Sequence, residues 1–197
     1  MSAALCGILL IHSVSAATLE GFARHYGKSC STHPVFIDHK NIRPWTFRSR
    51  NFSIVMERTT LGDLQKQYKG EIQQNDNARW LCYHSQAENV TWWFIARNTS
   101  EHNNLSTIML ASMDHHAKCA TPARPIYLSG IPAPLLGATR DEIANYFKIP
   151  SARISLCQRF ISMATSKNSS TINALDYYFK NDQVVGMSLE QLTRKKE

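Results

Sequence analysis

The chain has 197 residues, of which 43% are hydrophobic, and its formal net charge is +7 at pH 7. This composition provides enough apolar side chains for a folded core, which excludes a disordered or low-complexity chain, and the length suits one domain or two small ones. The basic charge suits an acidic protein partner or an anionic envelope surface. Nucleic acid is not an expected partner, because no nucleic-acid-binding motif accompanies the charge.

The first 17 residues are typical of a secretory signal. An apolar stretch from about residue 3 to residue 11 is followed by small residues that end in Ser15, Ala16 and Ala17. This stretch is too short to span a bilayer. Because a positively charged start is missing, a buried strand or helix is the alternative interpretation. We predict a signal peptide at residues 1–17.

Cleavage at this point would remove Cys6 and leave an even set of cysteines, which comprises Cys30, Cys82, Cys119 and Cys157. An even set in an exported chain predicts two disulfides, and the spacing leaves three pairings open. The sequence contains no C-x-x-C pair, which argues against a zinc ribbon or a thioredoxin-like site. We therefore predict a periplasmic or secreted protein.

Residues 18–118 are predicted to form an N-terminal unit with an extra segment at its start. A short helix is expected at about 18 to 27, followed by loop, a strand at 51–58 and a helix that Thr60 caps. Three runs rich in aromatic and β-branched residues come next, and they predict an antiparallel meander. The runs are RWLCYHS, TWWFIARN and LSTIMLASM.

Residues 119–136 carry several prolines and no periodicity, which predicts a linker. Residues 137–197 are predicted to form a C-terminal unit. In it, Thr139 and Glu142 have the spacing of a capping box, and an extended segment and a hairpin with a turn at 180–183 follow.

The order of elements is similar in the two halves, and each half has a capped helix and a cysteine in its first strands. These similarities predict a duplication. The predicted fold class is α+β, with tandem helix-plus-antiparallel-sheet units in which each helix packs on a short β-meander.

The segments LLGATRDEIANYFKIP and DYYFKNDQVVGMSL resemble the helix and the final hairpin of small envelope domains. These are the outer-membrane assembly lipoproteins of the SmpA/OmlA type and the tandem-repeat β-lactamase inhibitor protein type. The resemblance covers about residues 137–191, and residues 59–113 more faintly. It implies a binding role, in which the sheet face opposite the helix and its loops contact a protein partner.

The run TWWF contains the most informative aromatic side chains. Successive side chains of a strand face opposite sides, so at least one of Trp92 and Trp93 is expected away from the helix-covered core. Exposed there, it would anchor a partner together with Trp80, Tyr83 and Arg97, since Trp, Tyr and Arg dominate binding hot spots. The alternative is that the N-terminal segment covers this side of the sheet.

The sequence contains no G-x-S-x-G, HExxH, P-loop or GxGxxG motif, and neither a catalytic residue nor a cofactor is predicted. Metal-type ligands cluster at Asp114, His115, His116 and Cys119. Adjacent histidines face opposite ways on a strand, however, and Cys119 is expected in a disulfide, so no metal site is predicted.

We therefore expect an exported protein-binding module, an inhibitor or immunity-type protein that blocks an envelope-acting enzyme, with an acidic protein as its partner. Within the same class the alternative is a cell-envelope assembly factor. The rival class is a small secreted hydrolase that uses one of the scattered histidines. Contact with a membrane surface is compatible with the charge but not required, and the oligomeric state stays open.

Overall fold

A computed structural model of the chain describes residues 17–28, 30, 33–38, 46–49, 52–99, 101–112, 118–126, 133 and 135–196. The predicted signal peptide, apart from Ala17, lies outside these residues. The strands are β1 (Val35–Phe36), β2 (Thr46–Ser49), β3 (Phe52–Val55), β4 (Gln73–Gln74), β5 (Ala78–Ser85), β6 (Val90–Arg97), β7 (Leu105–Ser112), β8 (Cys157–Thr165), β9 (Ser169–Lys180) and β10 (Gln183–Lys195). The helices are α1 (Leu61–Tyr68) and α2 (Arg140–Phe147), with short 3₁₀-helices at Gly21–His25, Glu101–Asn103 and Ser151–Arg153.

Eight strands form one mixed sheet in the order β1-β8-β9-β10-β7-β6-β5-β4, and β2 pairs with β3 separately. Neighbouring strands are antiparallel, except that β1 runs parallel to β8. The centre of the sheet joins the two halves of the chain, because β7 pairs with β10 from Ala111 and Gly186 to Thr107 and Glu190.

The predicted fold class is wrong. The molecule is mostly β, and the strands of both halves share one large sheet instead of forming tandem helix-plus-meander units. The physical reason lies at the strand edges. The last strand of each predicted meander has unpaired backbone groups along one edge, and β7 and β10 satisfy these groups by pairing with each other.

The predicted capping box at Thr139 and the predicted cap at Thr60 are both present, and Asp63 makes the Thr60 cap a second capping box. The Thr60 hydroxyl accepts a hydrogen bond from the Asp63 N–H at 3.1 Å, and the Asp63 carboxylate accepts one from the Thr60 N–H at 3.1 Å. Thr139 and Glu142 make the same pair of bonds at 3.2 Å and 2.7 Å. These bonds satisfy N–H groups that the first turn of each helix leaves without a helical partner.

The predicted turn between the last two strands is confirmed. Lys180 pairs with Gln183, and the two residues between them, Asn181 and Asp182, have φ values of 51° and 63°. Two positive φ values define a type I′ turn, whose twist matches that of a hairpin.

The helices and the β2–β3 hairpin cover one side of the sheet, here called the inner face. Its core contains large side chains from both halves of the chain, among them Ile54, Leu64, Phe94, Ile143, Phe160 and Tyr177. The opposite side, here called the outer face, has a smaller apolar cluster that includes Trp80, Trp93, Ile95, Met109 and Ala111. Residues 17–28, here called the N-terminal segment, pack on this cluster through Leu19, Phe22, Ala23 and Tyr26.

The four predicted disulfide cysteines form two bonds, Cys30–Cys157 and Cys82–Cys119. The first bond ties the beginning of the chain to β8. The second ties residues 118–120 to β5, where Ala120 also exchanges backbone hydrogen bonds with Cys82 and His84. Two disulfides indicate an oxidising environment, extracellular or periplasmic. None of the helices in the described part of the chain is long and apolar enough to cross a membrane.

Candidate binding face

The aromatic residues predicted to bind a partner are all buried. The exposed fractions are 1% for Trp80, 0% for Tyr83, 7% for Trp92 and 2% for Trp93. Tyr83 and Trp92 belong to the inner core, whereas Trp80 and Trp93 lie on the outer face. The structure therefore shows the alternative interpretation, in which the N-terminal segment covers the outer indoles. A partner-binding role for these residues stays a prediction, and it would require the segment to move.

The N-terminal segment is held by aromatic and polar contacts. The Phe22 ring meets the edge of the Tyr178 ring at a centroid distance of 4.8 Å and lies 6.4 Å from Trp93. At the start of the segment, the Ala17 N–H donates to the Gln74 carbonyl at 3.1 Å. Ala17 is the last residue of the predicted signal peptide, so in the mature protein the segment is held by the Glu20–Lys118 ion pair and by Phe22 over the middle of the sheet.

Beside the N-terminal segment, four charged side chains form a row across the outer face. Arg159 holds Asp176 with two parallel hydrogen bonds of 2.7 Å each. Glu190 lies between the guanidinium groups of Arg97, with which it forms an ion pair, and Arg159, at 3.9 Å. Arg97, the fifth residue predicted to bind a partner, is thus already paired within the chain. We call these four residues the charged row.

In Asp176 and in Arg159, burial and hydrogen bonding have opposite effects on the pKa. Burial raises the pKa of the Asp176 carboxyl, and the hydrogen bonds from Arg159 oppose this shift. The same hydrogen bonds raise the pKa of the Arg159 guanidinium. The positive and negative groups of the row therefore compensate each other within the chain.

Next to the charged row, apolar side chains lie on the outer face of four adjacent strands. Phe36 is 68% exposed and Met163 is 50% exposed. Strand register places Phe36 beside Ile161, and Met163 beside Ile172, which in turn faces Leu192. We call these five residues the outer apolar row. Side chains directly opposite on neighbouring strands are close enough to touch, so the row forms one patch.

A group of exposed cations borders the outer apolar row. Arg194 follows Leu192 on the same face of β10, and Lys195 and Lys196 come next in the chain. Lys167 lies in the turn between β8 and β9, beside Lys196, whose N–H donates to the Asn168 carbonyl. All four cationic side chains are exposed. We call Lys167, Arg194, Lys195 and Lys196 the basic end.

Sequence reasoning missed the outer apolar row. A local signal existed in β8, where Ile161 and Met163 alternate with the buried Phe160 and Ser162. Apolar residues on both sides of a strand indicate either that both faces of the sheet are covered or that one face is covered and the other is an exposed apolar surface. The row itself emerges only when β1, β8, β9 and β10 are placed side by side.

Two described histidines lie close to the outer cluster. The His84 ring nitrogen Nδ1 is 2.8 Å from the Thr91 hydroxyl, and both side chains are buried. Burial, followed by the nearby charges of Arg24 and Lys28, lowers the pKa of His25, whose ring lies 5.0 Å from that of Tyr178.

Three of the metal-type ligands in the sequence, Asp114, His115 and His116, lie outside the described residues. Within the described part of the chain, no three His, Cys, Asp or Glu side chains are grouped as metal ligands.

Comparison with known proteins finds no match: no protein-family model, no curated protein sequence and no solved structure is significantly similar to this chain. The resemblance to small envelope domains therefore stays a prediction.

Proposed function

We propose that this protein is an exported binding module that docks on an acidic protein through the outer apolar row and the basic end. Within this class, we propose that it is an inhibitor or immunity-type protein that blocks an envelope-acting enzyme. The single observation that carries the proposal is an exposed apolar patch, which contains Phe36 and Met163, with a group of four exposed cations at one end, of which Arg194 lies on the same face as the patch.

An exposed apolar patch with a polar border is the usual composition of a protein–protein interface. Soluble proteins rarely leave large apolar side chains together in water, and interfaces combine an apolar centre with a charged rim. Phe36 and Met163 would supply the buried centre. Arg194 and Lys196 would face carboxylates of the partner, which accounts for the preference for an acidic surface.

The construction of the outer face favours tight binding by a preformed surface. The apolar row is built on paired strands, and the bidentate Arg159–Asp176 pair and the Cys30–Cys157 disulfide support its border. A rigid surface loses little conformational entropy on association. An inhibitor benefits from this property, since it must occupy the enzyme's substrate cleft without rearranging.

The experiment is an affinity capture from envelope extract with the mature protein, followed by an activity assay of the captured enzyme. We expect one acidic enzyme in stoichiometric amount, whose activity falls as the mature protein is added. Met163→Glu should weaken capture at least about tenfold, because the complex would bury an unpaired carboxylate.

The matched control is Leu156→Glu, which changes an equally apolar side chain that is 71% exposed at the other end of β8. This variant should bind and inhibit like the parent. Equal weakening by both variants would contradict docking through the outer apolar row. A captured protein whose activity does not change would contradict inhibition and leave the binding surface supported.

A further inference from the structure

A cleft of about 750 Å³ opens between the N-terminal segment and the end of the sheet, in a different part of the outer face from the apolar row. The N-terminal segment contributes Arg24, Tyr26 and Lys28 to its walls. Arg97 and Glu190 of the charged row also line it. Small-molecule sites commonly have volumes of roughly 300–1,000 Å³, so the cleft has the size of such a site.

The charges around the cleft favour an anion. Three cationic side chains, Arg24, Lys28 and Arg97, line it together with one carboxylate, Glu190. Glu190 is already paired with Arg97 and also lies near Arg159. Arg24 and Lys28 are exposed at the rim, where an incoming carboxylate or phosphate would meet them first.

Polar groups on the opposite wall are held in one orientation. The Asn75 side-chain oxygen accepts hydrogen bonds from the N–H groups of Asn77 and Ala78, both at 2.9 Å. Its amide nitrogen is a further donor, and Asn75 is part of the lining of the cleft. The Asn98 side chain fixes the same loop by donating to the Asn75 carbonyl at 2.7 Å.

Tyr26 adds a hydroxyl on the side of the N-terminal segment. Burial raises the pKa of Tyr26, and its hydroxyl is hydrogen-bonded with Ser106 and Arg97. It therefore stays protonated at neutral pH and helps to position Arg97 in the lining of the cleft.

We infer that this cleft binds a small, hydroxyl-rich anion of the acidic-sugar class. The anionic group would lie between Arg24 and Lys28, and the hydroxyls would exchange hydrogen bonds with the amides of Asn75 and Asn77 and with Thr99. A largely apolar ligand would leave these polar groups without partners, which costs binding free energy. The anionic group could be a carboxylate or a phosphate, which share this chemistry.

The test is titration of the ¹⁵N-labelled mature protein with glucuronate, glucose 6-phosphate and uncharged glucose, followed by NMR. We expect saturable shifts of the amide signals of residues 24–28 and 75–77 with at least one of the two anions, and none with glucose. The anion that binds more tightly identifies the group, carboxylate or phosphate, that the cleft prefers.

The double variant Arg24→Ser, Lys28→Ser should lose about tenfold or more in affinity for that anion. Both residues are exposed, so the fold should be retained. The control with the same loss of charge is Lys66→Ser, Lys180→Ser, which changes exposed residues outside the cleft and should bind like the parent. Absence of saturation with both anions up to about 10 mM, or an equal loss in the control variant, would overturn the inference.

Discussion

Gly186 allows the N-terminal segment to lie directly on the sheet. A Cβ atom at this position of β10 would come within 2.5 Å of a ring carbon of Phe22. The Phe22 ring in turn packs on Tyr178 and Trp93. The absence of a side chain at Gly186 therefore allows Phe22 to cover Trp93. Trp93, which could have been an exposed anchor, is buried for this reason.

The substitution Gly186→Ala should displace Phe22 and destabilise the protein by roughly 1–3 kcal/mol, as overpacking does. Displacement exposes Trp93, so tryptophan fluorescence should shift to longer wavelength. In a Phe22→Ala background, where the ring is absent, the same change at Gly186 should cost less than about 0.5 kcal/mol. An equal cost in both backgrounds, measured by urea unfolding, would show that the clash is not the cause.

At the scale of elements, the two helices depend on their caps and on their buried sides. Each has eight residues, which is shorter than an isolated helix needs for stability in water. Leu64 and Ile143 bury one side of each helix in the inner core. The capping boxes stabilise the first turn of each helix. Each box contains a carboxylate, Asp63 or Glu142, so its contribution depends on pH.

The cap of α1 should make stability depend on pH. Hydrogen bonds from the Thr60 side chain and backbone lower the pKa of the Asp63 carboxyl below its ordinary value of 3.8. Because the folded pKa is the lower one, this stabilisation is complete above the unfolded pKa and is lost as the pH falls through the folded pKa. The free energy of unfolding of the parent should exceed that of Asp63→Asn most at neutral pH, and the difference should shrink below pH 3.8.

The control is the same comparison in a Thr60→Ala background. Without the hydroxyl that bonds to Asp63, the pH dependence of the difference should become much weaker. Urea unfolding at a series of pH values measures all four proteins. A difference that stays constant from neutral to acid pH in the parent background would contradict the role assigned to the cap.

At the scale of the whole molecule, one sheet and two disulfides unite the chain. The β7–β10 pairing joins the two halves, and Cys30–Cys157 links residues separated by 127 positions. Cys82–Cys119 closes a separation of only 37 positions. The longer link restricts the unfolded chain more strongly, so its contribution to stability should be larger.

Replacing Cys30 and Cys157 with alanine should lower the free energy of unfolding by about 2–5 kcal/mol. The Cys82→Ala, Cys119→Ala variant should lose roughly 1 kcal/mol less, since the entropy term grows with the logarithm of loop length. Denaturant unfolding without a reducing agent measures both variants. A larger loss from the shorter link would contradict loop closure as the main source of stabilisation.

The features that could be predicted from the sequence depend on residues within a few positions of each other. The caps at Thr60 and Thr139, the turn at Asn181 and Asp182, and most strands of the sheet have such local signals. Capping hydrogen bonds span three residues and the turn spans four, so neighbouring side chains alone determine them. The even set of four cysteines also predicted the number of disulfides correctly.

The tertiary structure alone decided how these elements combine. Strand edges can pair in several ways that differ little in local preference, and the β7–β10 pairing depends on the collapse of the whole chain. The choice among three disulfide pairings, the cover of Trp93 by Phe22 and the outer apolar row all require contacts between residues far apart in the chain. The sequence therefore determined the local elements, and long-range packing determined the surface that is available for binding.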